Sequence, residues 1–188
     1  MYIKQSKIII NNEKYIVRLL KSKDEQMLVD FFLNLSDDVK KKYSPHSFDC
    51  KTAVEICKQE DKRYKRVICV YKGAIIGYCI MYFKLRKWEN MRYDKAKMFM
   101  NNNDVCTIAP CVLADFQHRG IGSEMFRYVY NVAKLHNKKN IILWGGVVVK
   151  NHEAVNYYKK MNLKILNKWL HPLSRVMCYD MYLNIQEG

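Results

Sequence analysis

The feature that most constrains this chain is a junction near its middle. An apolar run, Val105 to Val112, gives way to a short loop with two glycines, and an amphipathic helix follows from Gly120 to His136. The loop reads Gln117-His118-Arg119-Gly120-Ile121-Gly122-Ser123, and Ile121, Met125, Val129 and Val132 share one face of the helix. Amides in the first turn of a helix lack intrahelical partners, and the helix dipole adds partial positive charge, so such a junction is an anion site. Gly120 and Gly122 carry no Cβ, which lets the backbone approach a phosphate closely. Arg119 and His118 either add charge there or stay in solvent. Other phosphate loops fit less well: a GxGxxG pattern would need glycine where Met125 stands, and a Walker loop would need a Gly-Lys-Ser/Thr step that the chain lacks.

The flanking sequence supplies a sheet with helices around this junction. Tyr15 to Leu20 reads as a first strand, and Ser22 to Glu25 as a capping box ahead of a helix carrying Leu28, Phe31, Phe32 and Leu35. A polar stretch runs from there through Ser44, Pro45 and His46, and a second short helix starts near Asp49. Arg66 to Tyr71 and Ala74 to Phe83 are strands joined by a tight turn at Lys72-Gly73. Lys84 to Asn103 is a polar, basic excursion between strands. Ile141 to Val149 is apolar enough to be buried on both faces, Asn151 to Met161 is helical, and Arg175 to Ile185 alternates as a last strand. The order β-α-α-β-β-β-α-β-α-β describes an α/β chain with one mixed sheet flanked by helices. At 188 residues, with no linker or repeat, it is expected to form a single domain over 1–188.

Composition narrows the class further. A hydrophobic fraction of 49% excludes disorder, and no apolar run reaches the ~20 residues of a membrane helix. The N-terminus does not read as a signal peptide, so a cytoplasmic location and no membrane partner are expected. Seven cysteines, an odd count with no CxxC spacing, suit reduced core thiols and no metal site. The net charge of +15 would suit a nucleic-acid partner, but the lysines are scattered along the whole chain rather than gathered in one helix or tail. The same field favours any polyanionic cofactor.

Gln117-His118-Arg119-Gly120-Ile121-Gly122 resembles the Q/R-x-x-G-x-G/A signature of the GNAT superfamily of N-acetyltransferases at every defined position. Asn151, Ala154 and Tyr158 stand at the offsets where that family carries Asn, Ala and Tyr after its next strand. Tyr158-Lys-Lys-Met-Asn162-Leu163 is similar to the family's Tyr-x-x-x-Gly-Phe ending, with Asn162 able to take the left-handed cap conformation of the glycine. The resemblance extends over nearly the whole chain. It implies a mixed, mostly antiparallel central sheet flanked by helices, with a splayed pair of strands at the acyl-CoA site.

The resemblance also implies an activity: transfer of an acetyl group from acetyl-CoA, the co-substrate, to a primary amine of a small molecule, peptide or protein by direct attack in a ternary complex. Amides from Gln117 through Ser123 (Gln117, His118, Arg119, Gly120, Ile121, Gly122 and Ser123) would cradle the pyrophosphate. Backbone groups at Cys111 and Val112 would meet the pantetheine arm, and one amide there would stabilise the oxyanion. Asn151 would bond the pantetheine, in competition with a plain N-cap role. Tyr158 would protonate the departing thiolate, in competition with a core role. Pro110 removes an amide where relatives carry an aliphatic residue and would mark the splay. Many relatives place a glutamate on this strand as general base, and Val105 to Val112 contains no acid. Asp104, just before the strand, is the candidate base, beside His46, Glu89 and His171.

Acceptor selection would fall to Asp37–Asp49, Lys84–Asn103 and Trp169–Ser174. Arg86 and Arg92 in the second segment suit an anionic acceptor or a solvated basic loop. The other readings are a non-catalytic acyl-CoA-binding module and a basic nucleic-acid-associated protein; the chain is expected to be a monomer or homodimer.

Overall fold

A computed structural model describes residues 4–43, 45–172 and 174–187 of the protein. Ser44 and Leu173, which fall in two of the expected acceptor segments, lie outside the described residues. The architecture is mixed α/β, a mostly antiparallel nine-stranded sheet flanked by helices. By packing, the chain divides into two compact units, Met1–Met81 with Ala109–Val132, and Tyr82–Ile108 with Ala133–Gly188.

The first unit opens with β1 (Ser6–Ile10) and β2 (Glu13–Leu19), an antiparallel hairpin in register from Ser6↔Val17 to Ile10↔Glu13. Asn11 and Asn12 turn it with φ of 51° and 63°, the left-handed pair that a two-residue hairpin demands. This strand β1 was not expected, because three consecutive isoleucines do not show the period of two. A 3-10 turn, Ser22–Asp24, leads into α1 (Glu25–Asn34), which buries Leu28, Phe31 and Phe32. The helix start differs from the capping box expected at Ser22 and Glu25. It is Asp24 whose carboxylate accepts from the Lys21 amide at 2.8 Å and from both Arg18 terminal nitrogens at 2.6 and 2.8 Å. Burial opposes the charge on Asp24, yet these donors hold its pKa below the usual carboxylate range.

The polar stretch after α1 contains another helix, α2 (Asp37–Lys42). The helix expected near Asp49 is α3 (Cys50–Lys58), capped by the Asp49 carboxylate on the Thr52 amide at 2.7 Å. Then β3 (Tyr64–Tyr71) and β4 (Ala74–Tyr82) form the hairpin expected at Lys72-Gly73. β5 spans Val105–Val112, and its last four residues belong to this unit, where the Leu113 amide bonds the Ile76 carbonyl at 2.9 Å. α5 (Ile121–Leu135) lies over β4, and Gly77 is what allows it: a Cβ there would sit 2.5 Å from the Met125 sulfur.

The second unit holds the start of β5, paired in parallel with β6 (Asn140–Leu143) from Val105↔Asn140 to Ile108↔Leu143. The single apolar strand expected over Ile141–Val149 is in fact two, because a turn at Trp144–Gly146 separates β6 from β7 (Val147–Val148). α6 (His152–Lys160) follows, then β8 (Lys164–Leu170) and β9 (Met177–Asn184), and β9 pairs antiparallel with β6, β7 and β8. The basic excursion Lys84–Asn103 contains α4 (Lys87–Lys95). Its low amphipathicity hid it, since Arg and Trp rather than aliphatic residues fasten it down. The Arg86 guanidinium lies between the Trp88 and Trp144 rings at 4.2 and 3.9 Å, and Arg92 between Trp88 and Trp169 at 4.4 and 3.9 Å. Buried Glu89 and Asp180 neutralise these two arginines.

Candidate functional site

In the first unit the glycine loop has the backbone of an anion cradle. After β5 a 3-10 turn, Ala114–Phe116, carries the chain into Gln117, and α5 begins at Ile121. His118 and Gly120 bracket Arg119 with φ of 58° and 84°. Two left-handed residues so close together suit a nest of successive amides. Nothing lies within 4 Å of where a Gly120 Cβ would stand, so a ligand has room beside the backbone. Gln117 differs from its neighbours. Its amide is spent on the Ala114 carbonyl at 3.1 Å, and its side-chain nitrogen donates to the Val112 carbonyl at 3.1 Å. It braces the loop to the end of β5, ahead of the segment 118–123. The Arg119 guanidinium lies over the Phe116 ring at 5.3 Å.

The end of β5 meets a cluster that no sequence pattern announced. The Tyr43 hydroxyl donates to the Ala109 carbonyl at 3.3 Å. His46 packs among Phe32, Tyr43, Phe48 and Tyr78, with ring centroids 5.2–5.7 Å away. Its Nδ1 faces the Ser47 carbonyl at 2.8 Å, which can only accept, so Nδ1 carries the proton and Nε2 accepts from the Tyr78 hydroxyl at 3.2 Å. Burial pushes the His46 pKa below its ordinary value, helped by the charge of Arg66 and opposed by the Ser47 carbonyl and Asp49. Burial raises the Tyr43, Tyr78 and Cys111 pKa values. Burial therefore holds the Cys111 thiol in its protonated form. Six of the seven cysteines are buried, as their apolar surroundings predicted.

In the second unit the β5–β6 register stops at Ile108↔Leu143, followed by one bond from the Trp144 amide to the Ile108 carbonyl at 2.8 Å. Pro110 comes two residues later and has no amide to continue the ladder. Asn151 caps α6, its Oδ1 accepting from the Ala154 amide at 3.2 Å. Tyr158 sits on α6, half-buried, its ring 5.1 Å from that of Tyr157. Asn162 ends the helix with φ of 64°, the left-handed cap expected there.

The candidate bases have different surroundings. Asp104, ahead of β5, pairs with Lys139 at 2.8 Å. Glu89 is fully buried and accepts from the Arg86 guanidinium and from the Gly145 amide at 3.2 Å. His171 accepts the Ser174 amide at 3.2 Å and lies 5.5 Å from the Trp169 ring. The anion-recognition role considered for Arg86 and Arg92 is corrected by their surroundings, since their charges are already met inside the fold. Among the described residues no group of three His, Cys, Asp or Glu could hold a metal, and no helix is long and apolar enough to cross a membrane.

Comparisons with known proteins agree with this geometry. The profile of the acetyltransferase (GNAT) family matches residues 30–163. Among solved structures, the GNAT domain of S. lividans PAT superposes with a TM-score of 0.73 at 14% identity, covering 96% of each chain. The ribosomal-protein-S5-alanine acetyltransferase of Vibrio fischeri gives 0.75 at 13% identity, covering 97% of this chain and 98% of its own. An N-acetyltransferase of Staphylococcus aureus Mu50 gives 0.65 at 15%, covering 91% and 98%. No curated protein sequence matches the chain.

Proposed function

The chain belongs to the acetyltransferase (GNAT) family, and from that premise we propose that it transfers an acetyl group from acetyl-CoA to a primary amine, as one catalytic domain and in a ternary complex. The observation that carries the reading is the loop: left-handed His118 and Gly120 ahead of a 15-residue helix, with open space at Gly120. That arrangement suits a pyrophosphate, which takes several amides at once and gains from the helix dipole. Backbone groups of Cys111 and Val112 receive the pantetheine and the oxyanion. A Cys111 thiol kept protonated by burial is a poor nucleophile, which supports direct transfer over an acetyl-cysteine step.

Asn151 spends its Oδ1 on the helix cap, so its Nδ2 is the group offered to a pantetheine carbonyl. The acceptor amine attacks the thioester carbon, the C–S bond breaks, and the Tyr158 hydroxyl gives its proton to the leaving sulfur. Asp104 and His46 are the bases to weigh for the acceptor's proton. The ion pair with Lys139 occupies Asp104, whereas burial favours the neutral form of His46, which can accept.

The test is thermal unfolding with and without excess acetyl-CoA. A ligand at about 100 times its Kd stabilises by about 2.7 kcal/mol. That is a rise of several degrees for a chain of this size. Gly120→Val with Gly122→Val should abolish the shift while the protein still unfolds cooperatively. No shift with wild type at saturating acetyl-CoA, CoA or longer acyl-CoAs would end the proposal.

A further inference from the structure

A cavity of about 630 Å³ opens in the first unit between the end of β2, the start of α1, the end of α3 and the start of β3. Its volume falls within the roughly 300–1,000 Å³ of small-ligand sites. Four cations line it, Lys21, Lys58, Lys65 and Arg66, against two acids, Glu25 and Glu60. Among the described residues none of the three lysines is in an ion pair.

Arg66 is the most informative of the lining residues. One terminal nitrogen donates to the Gln59 side chain, and the guanidinium lies 5.2 Å from the centre of the Tyr64 ring. Its Nε is buried and has no acceptor. Being closed off, that Nε is out of a ligand's reach, and what the cavity meets is the rest of the guanidinium. An oxyanion supplies the negative charge that this lining lacks. A guanidinium fork fixes its orientation, and the lysines act as mobile point charges around it.

This cavity is separate from the glycine loop. β3 runs from the cavity at Tyr64–Arg66 to the hairpin turn after Tyr71, and the chain beside that turn leads through Ile76 and Leu113 toward the loop. Five residues of strand from Arg66 to Tyr71 span about 17 Å. We propose that the cavity is a second ligand site, taking a small multivalent oxyanion independently of acetyl-CoA. The proposal does not rest on acetyl transfer, because binding is read directly.

Thermal unfolding at constant ionic strength, titrated with pyrophosphate and separately with citrate, tests it. At least one of the two should raise the Tm saturably in wild type and equally in Gly120→Val; which one does so separates a phosphate from a carboxylate ligand. The double variant Lys58→Ala/Lys65→Ala should weaken that binding at least tenfold, as should Arg66→Gln, while the acetyl-CoA shift is untouched. If Arg66→Gln fails to fold, the lysine pair carries the test. A wild type with no saturable shift from either oxyanion overturns the proposal. So does a shift indifferent to the cavity variants, including one lost only in Gly120→Val, which would place the oxyanion on the loop.

Discussion

His46 shows what a single residue's environment adds to its identity. In the sequence it was one of four candidate bases in or beside polar segments, and nothing in its spacing separated it from Asp104, Glu89 or His171. The fold gives each a different partner. Only His46 is an imidazole packed among aromatic rings, with its protonated nitrogen on a carbonyl and its lone pair on the Tyr78 hydroxyl. Its stability consequence has a definite sign. Burial lowers the folded pKa below 6.5, so the unfolded chain binds the proton more readily. The stabilisation is complete above the unfolded value and is lost as pH falls from there through the folded value. Calorimetry should therefore show Tm declining below about pH 6.5, and His46→Phe should flatten that decline. An unchanged slope in the variant would mean that other groups carry the acid sensitivity.

At the level of elements, the sequence was most legible where backbone conformation is tied to residue type. The Lys72-Gly73 hairpin, the helix start near Asp49 and the left-handed Asn162 all follow from local chemistry and all stand as expected. Elements held by tertiary contacts were not legible. α4 depends on two arginines wedged between tryptophans from distant segments, and β8 is a strand only because β9 lies beside it. Asn151 sits at the start of α6 with two jobs, and two substitutions separate them. Asn151→Ala removes the cap, at a cost of about 1 kcal/mol, together with any contact through Nδ2. Asn151→Asp keeps an oxygen for the Ala154 amide but offers no amine. The aspartate variant should unfold like wild type yet bind acetyl-CoA more weakly, as isothermal calorimetry would record. Equal affinity in Asn151→Asp would leave the residue a cap alone.

Across the whole molecule the charge of +15 would favour, at a distance, a polyanionic cofactor such as the proposed acetyl-CoA. Acetyl-CoA affinity should fall severalfold between about 0.05 and 0.5 M NaCl, as the screening length shrinks. A Kd flat across that range would assign the binding to the loop's local geometry alone. The fold is shared with proteins only 13–15% identical to this one, so most side chains can change while the architecture persists. At Gly120 the constraint is on the backbone. With φ at 84° and empty space where a side chain would go, the position strains ordinary residues by their handedness, not by their size. A D-alanine placed there by chemical synthesis would match the backbone where its mirror image strains it. What the backbone sets at that point is a chirality preference, and among the twenty coded residues glycine, which has no hand, meets it without strain.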